Sequence, residues 1–257
     1  IITGASQGLG KAIAQAFLAN GCNVTICGRD ENKLRDAAAE LQAGCQTKAQ
    51  IQVIKADVAS EREVKALVAF HVQQFGQLDI IVNNAAILGP IGSIELVDWP
   101  EWLRTMEINL GGPVLLCREA VPYLKGQRTG RIINLSGGGA TAPRPCFSAY
   151  ASSKAALVRF TETLAEELTA IGRDGRAGDE AALVGDQEQH AAGDLLGLAW
   201  PDEVFGELLL QALVGAAHHL EAGGVLLDED RRAVAVERLA VTGQPQRAVV
   251  GADLDPV

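Results

Sequence analysis

Five short apolar runs, Ile1-Ile2, Cys22 to Cys27, Ile51 to Lys55, Leu78 to Val82 and Arg131 to Leu135, are spaced along the first 171 residues by stretches with helix-like apolar periodicity. Runs of this length read as strands and the stretches between them as amphipathic helices. Strands that alternate with helices pair in parallel through right-handed crossovers, and the result is a doubly wound sheet covered on both faces. The expected fold class is therefore α/β, a Rossmann-like three-layer α/β/α sandwich. Leu78 to Val82, apolar except for Asp79, has the pattern of a strand buried on both faces.

Local signals place the helices. A helix after the turn Thr3 to Gly10 runs to about Asn20 and stops at Gly21, and another runs from about Asp30 to Ala43. Ser60-Glu61-Arg62-Glu63 is a capping-box signature for a helix ending near Phe75 and Gly76. Asp98, with Glu101 three residues on, opens a helix that continues past Asn109 toward Lys125. Gly111-Gly112-Pro113 inside it predicts an interruption near Asn109. A last helix starts near Tyr150 and carries Leu157, Phe160, Leu164 and Leu168 on one face.

Composition narrows the partners. The chain has 257 residues, 48% of them hydrophobic, which suits one large domain with a substantial core. No apolar run is long enough to span a bilayer, and the chain opens inside an apolar segment without Met, as a truncated start would. The net charge of -10 comes without a basic stripe interleaved with aromatics, which argues against nucleic acid or an anionic membrane as partner. Five cysteines without a Cys-x-x-Cys spacing read as buried free thiols, and so as a protein of the reducing cytoplasm.

The charge divides the chain. Residues 1 to 170 hold 16 Lys and Arg against 16 Asp and Glu, whereas residues 171 to 257 hold 6 against 16 and so account for the whole imbalance. The later segment contains no Lys, Ser, Asn, Tyr, Cys or Met. We read residues 1–171 as the core and residues 172–257 as a divergent or out-of-frame segment. No apolar run follows Ile171 directly, so a sixth strand is not expected, and the edge of the fifth strand would stay open. Later strand-like pieces are Val225 to Leu227, Ala233 to Val236 and Arg247 to Val250, and Phe205 to Ala217 has a helical pattern. His190, His218 and His219 lack a ligand spacing, and no metal site is expected.

Ligands on doubly wound sheets bind beyond the carboxyl ends of the strands, and the chemically pointed residues fall there. Gly4, Ser6, Gln7, Gly8, Leu9 and Gly10 form a glycine-rich turn between the first strand and its helix. Such a turn lets backbone approach a pyrophosphate, with the helix amides and dipole aimed at it. Arg29, past the second strand with no acid at its tip, reads either as a clamp on a 2'-phosphate or as a solvated loop arginine beside Asp30 and Glu31. Asp57-Val58 reads either as an acceptor for an adenine amino group or as a plain loop pair, and Asn83-Asn84 as site or turn residues. Tyr150 and Lys154 are four apart, so a helix sets the ammonium beside the phenol. A fixed positive charge there stabilises the phenolate and makes Tyr150 a usable acid or base.

Taken in order and spacing, Thr3 to Gly10, Asp57-Val58, Asn83-Asn84-Ala85-Ala86, Asn109, Ser136 and Tyr150-Ala151-Ser152-Ser153-Lys154 resemble the short-chain dehydrogenase/reductase family over about residues 1 to 171. The resemblance implies an NADP-dependent oxidoreductase, with NAD as second choice, acting on a small-molecule carbonyl or alcohol and assembled as a homodimer or homotetramer. It implies Tyr150 as proton donor, with Lys154 lowering its pKa and binding the nicotinamide ribose. Ser136 would hold the substrate oxygen, Asn109 a water of the proton relay, and Asn84 and Ala85 would lie against the cofactor. Three departures stand out. Ala86 replaces the family's usual glycine, Ser136 precedes Tyr150 by 14 residues, one more than is commonest, and no Pro-Gly pair follows Ile171. The alternative is a nucleotide-binding protein without turnover.

Overall fold

A computed structural model describes residues 1–125, 130–172 and 180–184, with residues 169–172 and 180–184 described as backbone only. The strands are β1 (Ile2–Thr3), β2 (Val24–Gly28), β3 (Ile51–Lys55), β4 (Ile80–Asn83), β5 (Arg131–Leu135) and β6 (Glu180–Val184). The helices are α1 (Gly8–Ala19), α2 (Glu31–Gly44), α3 (Glu61–Phe75), α4 (Trp99–Met106), α5 (Gly112–Leu124) and α6 (Ser148–Gly172). All paired strands are parallel, in the order β3-β2-β1-β4-β5-β6. Strand order reverses between β1 and β4, and such a reversal opens a crevice at the carboxyl edge.

Capping sets the helix starts. Asp30 accepts from the amides of Asn32 and Lys33, both at 3.1 Å, and Asp98 accepts from Glu101 N at 2.8 Å. Ser60 accepts from Glu63 N at 3.4 Å, but the return arm of the expected capping box is redirected. Glu63 Oε2 takes the amide of Asp57 at 2.9 Å, because Ser60 N is already bonded to Asp57 O. Gly76 closes α3 in the left-handed conformation that glycine adopts without a Cβ penalty.

The interruption expected near Asn109 is a π turn, Glu107–Gly111, between α4 and α5. Pro113 has no N–H to offer the carbonyl of Asn109, and its ring crowds that carbonyl. The helix absorbs the conflict by widening one turn before it continues.

The sixth strand corrects the expectation of an open β5 edge. Glu180–Val184 pairs with β5 from Arg131↔Glu180 to Leu135↔Val184. Its two alanines have little β propensity and hide it from a pattern search, whereas the unpaired backbone of β5 offers any short extended segment a full ladder. Phe205 to Ala217, the three later strand-like pieces and the three histidines all lie outside the described residues.

Side chains alternate between two cores. Ile26, Val82 and Ile133 face α1 and α2 through Ile13, Phe17, Leu34 and Leu41. Cys27, Ile81 and Ile132 face α3, α5 and α6 through Leu67, Leu116, Leu124 and Leu164. Each such fully buried side chain contributes about 1.5–3 kcal/mol. All five cysteines are free; Cys27 and Cys117 are buried, which pushes both thiols up to about 12, Cys22 and Cys45 are half-buried and Cys146 is exposed. Among the described residues no helix is long and apolar enough to cross a membrane.

Candidate active site

The first turn is locked to the tip of β4. Thr3 Oγ1 accepts from the amides of Asn84 and Ala85, both at 3.0 Å, while Asn84 Nδ2 donates to the carbonyls of Thr3 (2.8 Å) and Gly4 (3.0 Å). Room for that carboxamide exists because residues 4 and 10 are glycine. A Cβ on Gly10 would come within 2.4 Å of Asn84 Nδ2, and one on Gly4 within 2.9 Å of Ala85 Cα. Asn84 thus clamps the loop from behind, a role the sequence pattern does not reveal.

The front of the turn is open. Gly8 has φ +57, and a Cβ there would meet nothing within 4 Å. Ser6 and Leu9 are half-buried, and Gln7 caps α1 without a side-chain hydrogen bond or an acid in the first turn. Unfilled helix amides beside open backbone are the arrangement a pyrophosphate fits.

Arg29 is exposed at the tip of β2 and makes no ion pair among the described residues. Asp57, at the tip of β3, is engaged by protein. Its Oδ1 accepts from Ala59 N at 3.0 Å, and its Oδ2 pairs with Arg104 Nη2, whose other arm reaches Glu107 at 3.1 Å. Val58 is buried beneath Gly112, where a Cβ would meet Val58 Cγ2 at 2.8 Å. The expected adenine loop is thereby tied to α4 and the π turn.

Ser136, Tyr150, Lys154 and Asn109 gather around the start of α6. A buried chain of hydrogen bonds seats that helix: Asn83 Nδ2 donates to Asn134 Oδ1 (2.8 Å), Asn134 Nδ2 to Thr161 Oγ1 (2.8 Å), and Thr161 Oγ1 to Leu157 O (2.7 Å). Strand alternation then turns Ser136, two residues past Asn134, to the same side. Lys154 is buried, and its Nζ donates to Leu135 O at 2.7 Å and stands 5.8 Å from the centre of the Tyr150 ring. The Tyr150 hydroxyl lies against Gly137, and the buried Ser136 Oγ has no hydrogen-bond partner among the described residues.

Asn109 is fully buried in the π turn. Its carboxamide accepts from Ile87 N (2.8 Å) and donates to Ile87 O (2.8 Å) and Ser153 Oγ (3.0 Å). Ser153 in turn donates to Tyr150 O at 2.7 Å, so Asn109 braces α6 between the tyrosine and the lysine. Loop residues 139–143 and Ala151, Ser152 and Ala155 line a shallow groove at this edge. A deeper cavity of about 250 Å³ lies at the opposite edge, among Phe17, His71, Phe75 and Ile80, remote from these residues. Sequence reading missed Arg104, Asn134 and Arg144; for Arg144 the signal was available, a spacing of three, three and four through Phe147 and Tyr150 to Lys154.

The chain belongs to the short chain dehydrogenase family, which it matches over residues 1–172. It is 36% identical to a short chain dehydrogenase of Pseudocercospora fijiensis over 67% of this chain and 55% of that protein. It is also 36% identical to 11-beta-hydroxysteroid dehydrogenase A of Sesamum indicum over 65% of this chain and 47% of that protein. The chain thus spans about half the length of each of these relatives. A metagenomic short-chain oxidoreductase crystallised with NADP is similar in structure, with TM-score 0.67 and 26% identity, over 84% of this chain and 88% of that one.

Proposed function

We propose that this protein is an NADP-dependent oxidoreductase that interconverts a small-molecule carbonyl compound and its alcohol. One observation carries the reading: at the end of β5 a buried Ser136 hydroxyl without a hydrogen-bond partner among the described residues stands in the same corner as the Tyr150 phenol and the Lys154 ammonium. An unsatisfied buried hydroxyl costs about 1–3 kcal/mol, and a substrate oxygen would satisfy it. Bound nicotinamide supplies the hydride in reduction and accepts it in oxidation. In reduction Ser136 holds the carbonyl oxygen and Tyr150 gives it a proton, while Lys154 stabilises the phenolate left behind. In oxidation the same phenolate takes the alcohol proton.

The turn from Gly4 to Gly10 would hold the pyrophosphate, Asp57 and Val58 the adenine, Asn84 and Ala85 the central crevice, and Tyr150 and Lys154 the nicotinamide ribose. Arg29, exposed and without an ion pair among the described residues, supports NADP over NAD through a 2'-phosphate contact. Asn109 serves by bracing α6. The proposed assembly is a homodimer or homotetramer, supported by exposed Trp99, Leu103 and Tyr123 on α4 and α5. The free thiols support a cytoplasmic setting.

A second reading, nucleotide binding without turnover, is favoured by the end of the family match at residue 172 and by the lack of a Pro-Gly pair beyond it. On this reading residues 172–257 are a divergent segment that does not complete the substrate side. Thermal unfolding with NADPH and with NADH in excess, followed by a ketone panel, separates the readings. Both predict a midpoint raised more by NADPH, since ligand at 100 times its Kd stabilises by about 2.7 kcal/mol. The enzyme alone predicts ketone-dependent oxidation of NADPH that Tyr150→Phe abolishes. A midpoint moved by neither nucleotide would sink both.

A further inference from the structure

We propose that Arg144 is a second cation acting on Tyr150, a positioning residue that joins Lys154 in favouring the ionised phenol. Its catalytic meaning rests on the oxidoreductase reading, but its physical test does not.

The Arg144 guanidinium is shared between the Phe147 and Tyr150 rings, and the Tyr150 ring between Arg144 and Lys154. Arg144 Cζ lies 4.1 Å from the centre of the Phe147 ring and 5.6 Å from that of Tyr150, and Lys154 Nζ lies 5.8 Å from the latter. Both cations are within the roughly 6 Å over which a ring and a charge attract each other. The Tyr150 side chain is buried, which weakens solvent screening of the two charges. A charge that attracts a neutral ring attracts a phenolate more strongly, so each cation favours loss of the phenolic proton.

Local structure holds Arg144 in place. Phe147 N donates to Arg144 O at 3.2 Å and Ala151 N to Phe147 O at 2.9 Å, so the turn bearing Arg144 runs directly into α6. The Phe147 ring serves as the platform on which the guanidinium stacks. Among the described residues, the acidic and thiol groups on the elements around the start of α6 are Glu95 and Asp98 before α4, Glu101 on α4, Glu107 in the π turn and Cys146 in the same loop as Arg144. Glu107 is paired with Arg104, and the others are exposed. Arg144 and Lys154 stand at similar distances from the Tyr150 ring, 5.6 and 5.8 Å.

The chain has two tyrosines, so Tyr123→Phe leaves Tyr150 as its single phenol. In that background the near-ultraviolet absorbance of phenolate, followed against pH, reports Tyr150 directly. Arg144→Met is expected to raise the titration midpoint by about one unit, and Arg144→Lys to restore part of the shift. An unchanged midpoint in a folded Arg144→Met variant overturns the proposal. If that variant does not fold, Phe147→Leu, which removes the platform and keeps the charge, decides by the same shift, and an unchanged midpoint there overturns it equally. With NADPH and a turned-over ketone, the ionisation limb of kcat/KM should move in parallel. The titration needs neither cofactor nor substrate. A shifted phenol without turnover leaves this proposal standing and sinks the oxidoreductase reading, and turnover with an unshifted phenol does the reverse.

Discussion

The hydroxyl of Tyr150 stands where a side chain on Gly137 would begin: a Cβ at residue 137 would come within 2.2 Å of it. Gly137→Ala must therefore push the phenol away from Ser136 or shift the loop. The expected result is a folded protein whose carbonyl reduction falls by about 100-fold, since displacing a reacting group by about 1 Å costs that much. Steady-state kinetics alongside circular dichroism would check it, and parental activity would mean that the phenol does not work from this position.

Thr3 Oγ1 takes two amides from the tip of β4, those of Asn84 and Ala85. Thr3→Val keeps the shape, strands the Ala85 amide at a cost of about 1–3 kcal/mol, and leaves the Asn84 amide only the carbonyl of Val82 at 3.2 Å. Thr3→Ser should recover most of the loss. Denaturant midpoints measure the stability, and a parallel weakening of NADPH affinity would tie this clamp to the glycine turn.

His71 is buried on the core side of α3 with its Nδ1 2.8 Å from Thr25 Oγ1, and burial lowers its pKa from an ordinary 6.5 to about 3. The folded protein keeps this imidazole neutral where the unfolded chain takes up a proton. Its contribution is fully present above about pH 6.5 and is lost as pH falls toward about 3. Within that window the slope from this group approaches about 1.4 kcal/mol per pH unit. Urea unfolding at several pH values should show the slope reduced in His71→Gln, and an unaltered slope would mean that His71 is not held neutral.

Cys146 is the one non-glycine residue with positive φ among the described residues, at 66°, and its carbonyl accepts from Gly92 N at 2.9 Å. A side chain in that conformation costs about 1–2 kcal/mol, and glycine gives back part of the relief through its larger unfolded-state entropy. Cys146→Gly should raise stability by about 0.5–1 kcal/mol. A lower melting temperature would show that the thiol makes up for its own strain.

Signals that act within one turn of chain were readable in advance. Asp30, Ser60 and Asp98 cap the helices they were expected to open, and Gly111-Gly112-Pro113 breaks the helix where proline chemistry requires. Strand boundaries moved by one or two residues, as β4 does from Leu78–Val82 to Ile80–Asn83, because apolar character extends into the loops while pairing does not. β6 was missed for the opposite reason, since pairing reaches residues whose composition does not ask for it. In the site, Tyr150 and Lys154 meet as their spacing requires, whereas the pairing of Asp57 with Arg104 joins residues 47 apart and left no periodic trace.

By itself the sequence determined the alternation of strands and helices, the glycine turn after β1, the caps, and the four-residue step that brings an ammonium to a phenol. These depend on backbone sterics and on neighbours one turn away. Tertiary structure alone decided that Asn84 fills the space behind Gly4 and Gly10, that Ser136 is left without a partner among the described residues, that Gly137 makes way for the Tyr150 hydroxyl, and that Glu180–Val184 closes the β5 edge. Each of these is a contact between segments far apart in the chain. Which partner fills a given space or meets a given donor is settled only when the elements pack.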